Sequence, residues 1–395
     1  MINKNLYKKN LLKNKKILIT GIDGYTGWPL TLAISKKFKN SRILGIDNLK
    51  RRSWVKNANS CSANRIYSIQ KRINTAKKHG YKNIKFLKGD LTNWSFVKNI
   101  FKNFKPDVVI HLASQPSAPF ANLSLKNCSF THYNNNISTL NLLWAIKETK
   151  RINLTKFITT TTTGVYGQPK FIIPEGFIKA INKNKKDIIS FGNQGSSWYH
   201  ITKSNDINNL WLANKLWNLD IIDLRTSIVY GVETDDTKKD KILSTRFDFD
   251  YFFGVVINRF CAMSVTNYDL TIYGKGLLKR PFISLKDFVL STVNLIEHKP
   301  IKNFEVFNQT TELLSIKNIA KEISSQAKKL GYSCKLNFIK NPRVEKEEYQ
   351  MRMENKKFLK LLGKKPHSFK NELMGILKTL SVNNKTIIKN KKSFI

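Results

Sequence analysis

Tyr199 and Lys203 stand four residues apart in WYHITK, a spacing that puts both on one face of a helix. A free phenol titrates near 10, too high for a base at neutral pH. A neighbouring ammonium and an oxidised nicotinamide both favour phenolate, and a tyrosine so placed can take a proton from an alcohol. Taken alone, Y-x-x-x-K is common by chance and reads as exposed helix surface. A nucleotide fingerprint upstream changes that reading, and ILITGIDGYTGWPL is one: Gly21, Gly24 and Gly27 follow an apolar run and open a helical one, with Asp23, Tyr25 and Thr26 between them. Glycines there let backbone approach a pyrophosphate seated on the amides of a helix N-terminus.

Asp47 lies twenty residues beyond Gly27, at the end of the second apolar run, followed by Asn48. A carboxylate at that place accepts hydrogen bonds from ribose hydroxyls and repels a 2′-phosphate, so NAD is expected rather than NADP. Lys50, Arg51 and Arg52 follow closely and could neutralise a phosphate. Asp90 and Leu91, in KGDLT, are placed to meet adenine, with a helix N-cap as the plain alternative for Asp90. Thr162 is the fourth of five threonines in ITTTTTGVYGQP, where its hydroxyl can bind the oxygen that Tyr199 deprotonates; the other threonines read as strand residues. His200 is a further candidate for proton transfer because imidazole titrates near neutrality. A satisfied helix histidine is the alternative.

These residues need a parallel sheet to hold them. KKILIT (15–20), SRILGID (41–47), NIKFL (83–87), PDVVIHLA (106–113), TKFITT (155–160) and LDIIDLR (219–225) are short β-branched runs alternating with helical patterns. In one such pattern Ile137, Leu140 and Trp144 share a face. The expected fold is a Rossmann-type doubly wound α/β sheet with a smaller mixed α/β substrate-binding lobe. A basic extension (1–15) precedes the dinucleotide-binding domain (16–230), which carries an insertion (51–82) polar enough to lie outside the core as a lid or partner segment. The second lobe (231–382) returns some segments to the sheet, and a basic tail (383–395) is expected to fray.

Sixty-nine Lys+Arg against 27 Asp+Glu leave a net charge of +42. Such an excess suits polyanions, yet the lysines are scattered among asparagines and isoleucines, as an A+T-rich coding sequence would produce. Cys61, Cys128, Cys261 and Cys334 are far apart and form neither a metal cage nor a disulfide framework, so no metal is expected. The basic start lacks an apolar signal core, and the chain reads as soluble, reduced and cytoplasmic, with no membrane partner.

Over about residues 16–375 the chain resembles the extended short-chain dehydrogenase/reductase family. Within that resemblance Thr162, Tyr199 and Lys203 match the catalytic Ser/Thr, Tyr and Lys, and Asn135 in NNNIST matches a supporting asparagine. Leu112, Ala113 and Gln115 in HLASQPSAP match the stretch along nicotinamide. A narrower likeness, to the UDP-sulfoquinovose-forming subgroup that serves sulfolipid biosynthesis, rests on GIDGYTGW, QPSAPF, SSWYHITK, VYGVETDDT, RFDFDYFFGVVINRFC, LTIYGKG, VFNQTTE and NPRVEKEE. It implies NAD, UDP-glucose and sulfite: oxidation at C4, loss of water across C5 and C6, addition of sulfite and return of the hydride. It also implies a homodimer, and a substrate site drawn from Ser117, Thr163, Tyr230, Thr234, Arg259, Arg280 and Arg343, with Asp236 beside Thr234. Guanidinium suits forked phosphate recognition.

The subgroup's T-M-G-E-Y reads here Thr162, Thr163, Gly164, Val165, Tyr166, and Pro116 stands where Q-R-S-A-P has arginine. T-T-G-V-Y-G is nearer in form to sugar 4-epimerases, so a UDP-hexose 4-epimerase is the second reading. A basic nucleic-acid-binding protein on a disabled fold is the third.

Overall fold

The computed structural model describes residues 14–299, 304–340 and 350–394. Seven parallel strands form the central sheet: β1 (Lys16–Thr20), β2 (Arg42–Asp47), β3 (Ile84–Lys88), β4 (Val108–His111), β5 (Lys156–Thr162), β6 (Asp220–Thr226) and β7 (Phe304–Gln309). Their order is β7-β6-β5-β4-β1-β2-β3, so the winding reverses between β1 and β4. Period-two alternation divides the strands between two cores. Ile17, Ile19, Ile110 and Ile158 face Trp28, Leu30, Leu285 and Phe288 on one side. Leu18, Val109 and Phe157 face Val97, Leu142 and Leu210 on the other.

A third apolar cluster, built on Phe247, Phe260, Phe282, Ile319 and Leu373, sits in the second lobe. That lobe holds a three-stranded sheet of Ile228–Tyr230, Lys279–Ser284 and Glu312–Ser315 and a parallel pair of Leu270–Tyr273 with Leu336–Ile339. β7 is the segment that returns to the main sheet. No helix among the described residues is long and apolar enough to cross a membrane.

The structure departs from expectation in four places. The insertion is not outside the core: its helix Ile69–Lys78 buries Ile69, Ile73 and Ala76, and Tyr81 is 2% exposed. The tail does not fray over 383–394, because Phe394 packs against Phe249 and Tyr268 while Ser393 O accepts from Tyr251 N. The face carrying Ile137, Leu140 and Trp144 is the outer one, since Leu142, Leu143 and Ile146 fill the core instead. An antiparallel hairpin, Phe177–Asn182 with Lys185–Ser190, was not foreseen, being lysine-rich and mostly exposed.

Candidate active site

A cleft of about 940 Å³ runs along the carboxyl edge of the sheet, where the winding reverses. At one end lies the glycine loop. Gly21 has φ +79°, and a Cβ on it would meet Ala113 N at 2.9 Å; a Cβ on Gly27 would sit 2.0 Å from Gly21 O. The loop therefore folds on itself before the helix Gly27–Lys37, whose first amides have no intrahelical acceptor. Gly24, Tyr25 and Thr26 line the cleft. Tyr25 Oη donates to Gly231 O at 2.6 Å, joining this loop to the start of the second lobe.

Asp47 lines the cleft and accepts from Asp23 N (3.0 Å) and Leu49 N (2.7 Å). Burial, and then Asp23 beside it, pushes its carboxyl up to about 6. Asp90 lines it too and accepts from Lys50 Nζ (2.8 Å), Asn48 Nδ2 (3.2 Å) and Thr92 N (3.0 Å). Burial raises that carboxyl, but the Lys50 ammonium and the Thr92 donors outweigh it and hold it at about 2. Leu91, Leu112 and Ala113 complete this wall. A close-approach loop, a helix start and a ribose-height carboxylate fit a dinucleotide.

At the other end the helix Trp198–Trp217 begins. Ser197 caps it, its Oγ accepting from His200 N, which sets Tyr199 in the first turn facing the cleft and Lys203 one turn below. Lys203 is 3% exposed, its Nζ 3.5 Å from Asp206 Oδ2. Asn136 Nδ2 donates to Asp206 Oδ1 (2.9 Å) and Thr202 O (2.7 Å). Asn135 Oδ1 accepts from Gln115 N and its Nδ2 donates to Thr202 Oγ1. Both asparagines lie on a π-helical turn, Tyr133–Ile137, the kind of irregularity that recurs at functional sites. Burial, then the Asp206 charge, pushes the Tyr199 phenol well above its ordinary value. Buried His111 is held neutral at about 3, by desolvation and then by Lys203, between Thr20 Oγ1 (2.8 Å) and Thr139 Oγ1 (3.3 Å).

Thr162 ends β5 on the cleft, its Oγ1 accepting from Gly164 N. Gly164 leaves room for the imidazole: a Cβ there would lie 2.4 Å from His200 Nε2 and displace the ring. His200 lines the cleft with Nδ1 3.0 Å from Ser196 Oγ, and burial lowers its imidazole to about 4. Val165, at the position of the subgroup's glutamate, is fully buried among Tyr166, Ile173 and Ile207. Thr163, Ser117, Arg259 and Arg280 also line the cleft, with Tyr251 and Tyr273 beside Arg259. Trp54 and Arg51, from the insertion, line it as well; Trp54 packs on Phe120, Phe130 and Phe253.

Several expected residues stand elsewhere. Gln115 is fully buried and bonded to Asn135 and Ser117, and Asn135 lies behind the cleft wall. Tyr230 is fully buried, its hydroxyl donating to Glu312 (2.9 Å). Thr234 is bound to Thr237, and Asp236 accepts from Tyr81 Oη (2.7 Å). Asp23 turns inward to two arginines. Arg343 lies outside the described residues. Asn136, Asp206, His111 and Trp54 were not singled out in the sequence; an asparagine triplet and the lone acid of the Tyr199 helix were the local signs.

The family model for GDP-mannose 4,6 dehydratase matches residues 18–176. The chain is 38% identical to a UDP-sulfoquinovose synthase of Sulfolobus acidocaldarius over 86% of each chain. It is 35% identical to the chloroplastic UDP-sulfoquinovose synthase of Spinacia oleracea, over 97% of this chain and 79% of that one. In fold it is similar to the UDP-glucose 4-epimerase of Bifidobacterium longum, solved with NAD+ and UDP: TM-score 0.69 at 18% identity, covering 93% of this chain and 99% of that one. The chain therefore belongs to the extended short-chain dehydrogenase/reductase family of nucleotide-sugar epimerases and dehydratases, within its UDP-sulfoquinovose synthase group.

Proposed function

We propose that this enzyme is an NAD-retaining UDP-sulfoquinovose synthase acting on UDP-glucose and sulfite. The observation that carries the reading is one cleft with the glycine loop and Asp47 at one end and Tyr199, Thr162 and His200 at the other. NAD, when bound by the glycine loop, Asp47 and Asp90, supplies the acceptor for the C4 hydride and later returns it. Tyr199 takes the proton of the C4 hydroxyl and Thr162 holds that oxygen. The C4 ketone acidifies C5. His200, neutral because burial opposes its charge, accepts the C5 proton as hydroxide leaves C6. The sulfite lone pair then bonds to C6 and C5 regains a proton. His200 takes the part of an acid–base group because Val165, where the subgroup has glutamate, is apolar and buried. Arg259 and Arg280 line the half of the cleft left for the diphosphate.

Incubating the purified protein with UDP-glucose and sulfite should yield a sulfonated nucleotide sugar by mass spectrometry. Conversion to UDP-galactose without sulfite would establish the epimerase reading, and a steeply salt-dependent affinity for duplex DNA the polyanion one.

NAD affinity should rise with pH. A ribose acceptor must be ionised, and Asp47 titrates near 6 in the folded chain. Because that value is raised, the group favours folding below its unfolded pKa and loses this contribution as pH rises through about 6. Binding follows the opposite sense, and NAD titrations at pH 5 and 7.5 should differ several-fold. Equal affinities would remove Asp47 from the ribose contact.

A homodimer in a reduced cytoplasmic setting completes the reading. Leu125, Tyr133, Trp144 and Leu216 are exposed on adjoining helices, an apolar face that a second copy would cover. Light scattering should give twice the 45.7 kDa chain mass, and a charge at Leu216 should give monomer.

A further inference from the structure

Three cations, Lys50, Arg51 and Arg52, lie three to five residues after Asp47, the residue at which coenzyme choice is made, and in that position they would suit a 2′-phosphate. Each is held by a carboxylate. Lys50 Nζ is 2.8 Å from Asp90 Oδ2, and Arg51 Nη2 is 2.8 Å from Asp248 Oδ2. Arg52 grips Asp23 through Nε and Nη2, each at 2.7 Å, and donates to Tyr67 O at 2.8 Å. Asp23 is 1% exposed and is bound a third time by Arg72 Nη1 at 3.0 Å. Arg72 is itself fully buried, 4.2 Å from the Trp28 ring, and cannot turn away. The Arg52 side chain is 31% exposed, and it follows Arg51, which lines the cleft. Asp23 also donates its backbone N–H to Asp47 Oδ2.

We propose that Asp23 is a specificity-determining residue for the coenzyme: its carboxylate immobilises Arg52, so that rejection of NADP depends on Asp23 together with Asp47. This rests on reading the cleft as a nicotinamide dinucleotide site. With Nε and Nη2 committed to Asp23 and Tyr67 O, the Arg52 guanidinium keeps only Nη1 and cannot turn a two-nitrogen fork toward a phosphate. Removing Asp47 alone leaves Arg52 held, and removing Asp23 releases it.

The test is NAD and NADP titration of the full chain freed of cofactor. Asp47→Ser should weaken NAD without admitting NADP. Asp47→Ser/Asp23→Asn should bind NADP tenfold or more tighter than Asp47→Ser, about the scale of one charge-assisted hydrogen bond. Adding Arg52→Gln should abolish that gain. Tight NADP binding by Asp47→Ser alone, or no gain in a folded Asp47→Ser/Asp23→Asn protein, overturns the proposal. Should Asp23→Asn fail to fold because Arg72 is left unpaired, Asp47→Ser/Arg52→Gln decides: equality with Asp47→Ser in NADP affinity supports a held Arg52, and a loss overturns it. A wild-type chain that binds neither dinucleotide removes the underlying reading, a result distinct from all of these.

Discussion

Replacing Tyr199 with phenylalanine should lower turnover by roughly 10²–10⁴-fold, the range of a positioned general base, and leave the dinucleotide bound. The ring lines the cleft in the first turn of its helix, beside His200. Burial and Asp206 keep the phenol protonated in the protein alone. Ionisation thus waits for a positive charge beyond those the chain itself holds, which an oxidised nicotinamide would add. The rise of wild-type activity with pH should accordingly be absent from the residual rate of Tyr199→Phe. Retention of cofactor in the variant, read by extraction and absorbance, separates lost chemistry from lost binding. A variant with near-normal turnover would show that another group takes the C4 proton.

What could be read in the chain was local. The six strands expected from β-branched runs lie within a few residues of the observed ones, because a strand covered on both faces leaves a continuous apolar signature. The glycine loop and Asp47 were legible because their spacing is set by one strand, one turn and one helix. Long-range partners were not. Nothing in the sequence pairs Arg52 with Asp23 or Arg51 with Asp248, 197 residues apart, and the basic run therefore looked available for phosphate. Tyr230 precedes a glycine in V-Y-G as a site residue would, yet it ends a strand and Glu312 and Phe369 hold it in the core. β7 escaped notice because an Asn and a Gln end its run, and both are buried by bonds to distant groups.

Replacing Lys203 with methionine should fail twice, once in chemistry and once in stability, and the two failures can be separated. Lys203 and Asp206 are 3% exposed each, and a buried carboxylate stripped of its counter-ion costs roughly 3–5 kcal/mol. Burial already raises the Asp206 carboxyl against the pull of Lys203 and Asn136. Without the ammonium it rises further, so its contribution to stability is present below the unfolded pKa and is lost as pH rises through the higher folded value. The melting deficit of Lys203→Met should therefore be small at pH 5 and large at pH 8. In Lys203→Met/Asp206→Asn the amide oxygen still accepts from Asn136 Nδ2 and no charge is buried, so melting should recover and lose this pH dependence. Turnover should not recover, because the double variant still lacks the ammonium that the proposed chemistry sets one turn from Tyr199. Recovery of activity together with stability would mean that Lys203 serves the fold alone, and an equal melting loss in both variants would mean that the pair with Asp206 is not what holds it.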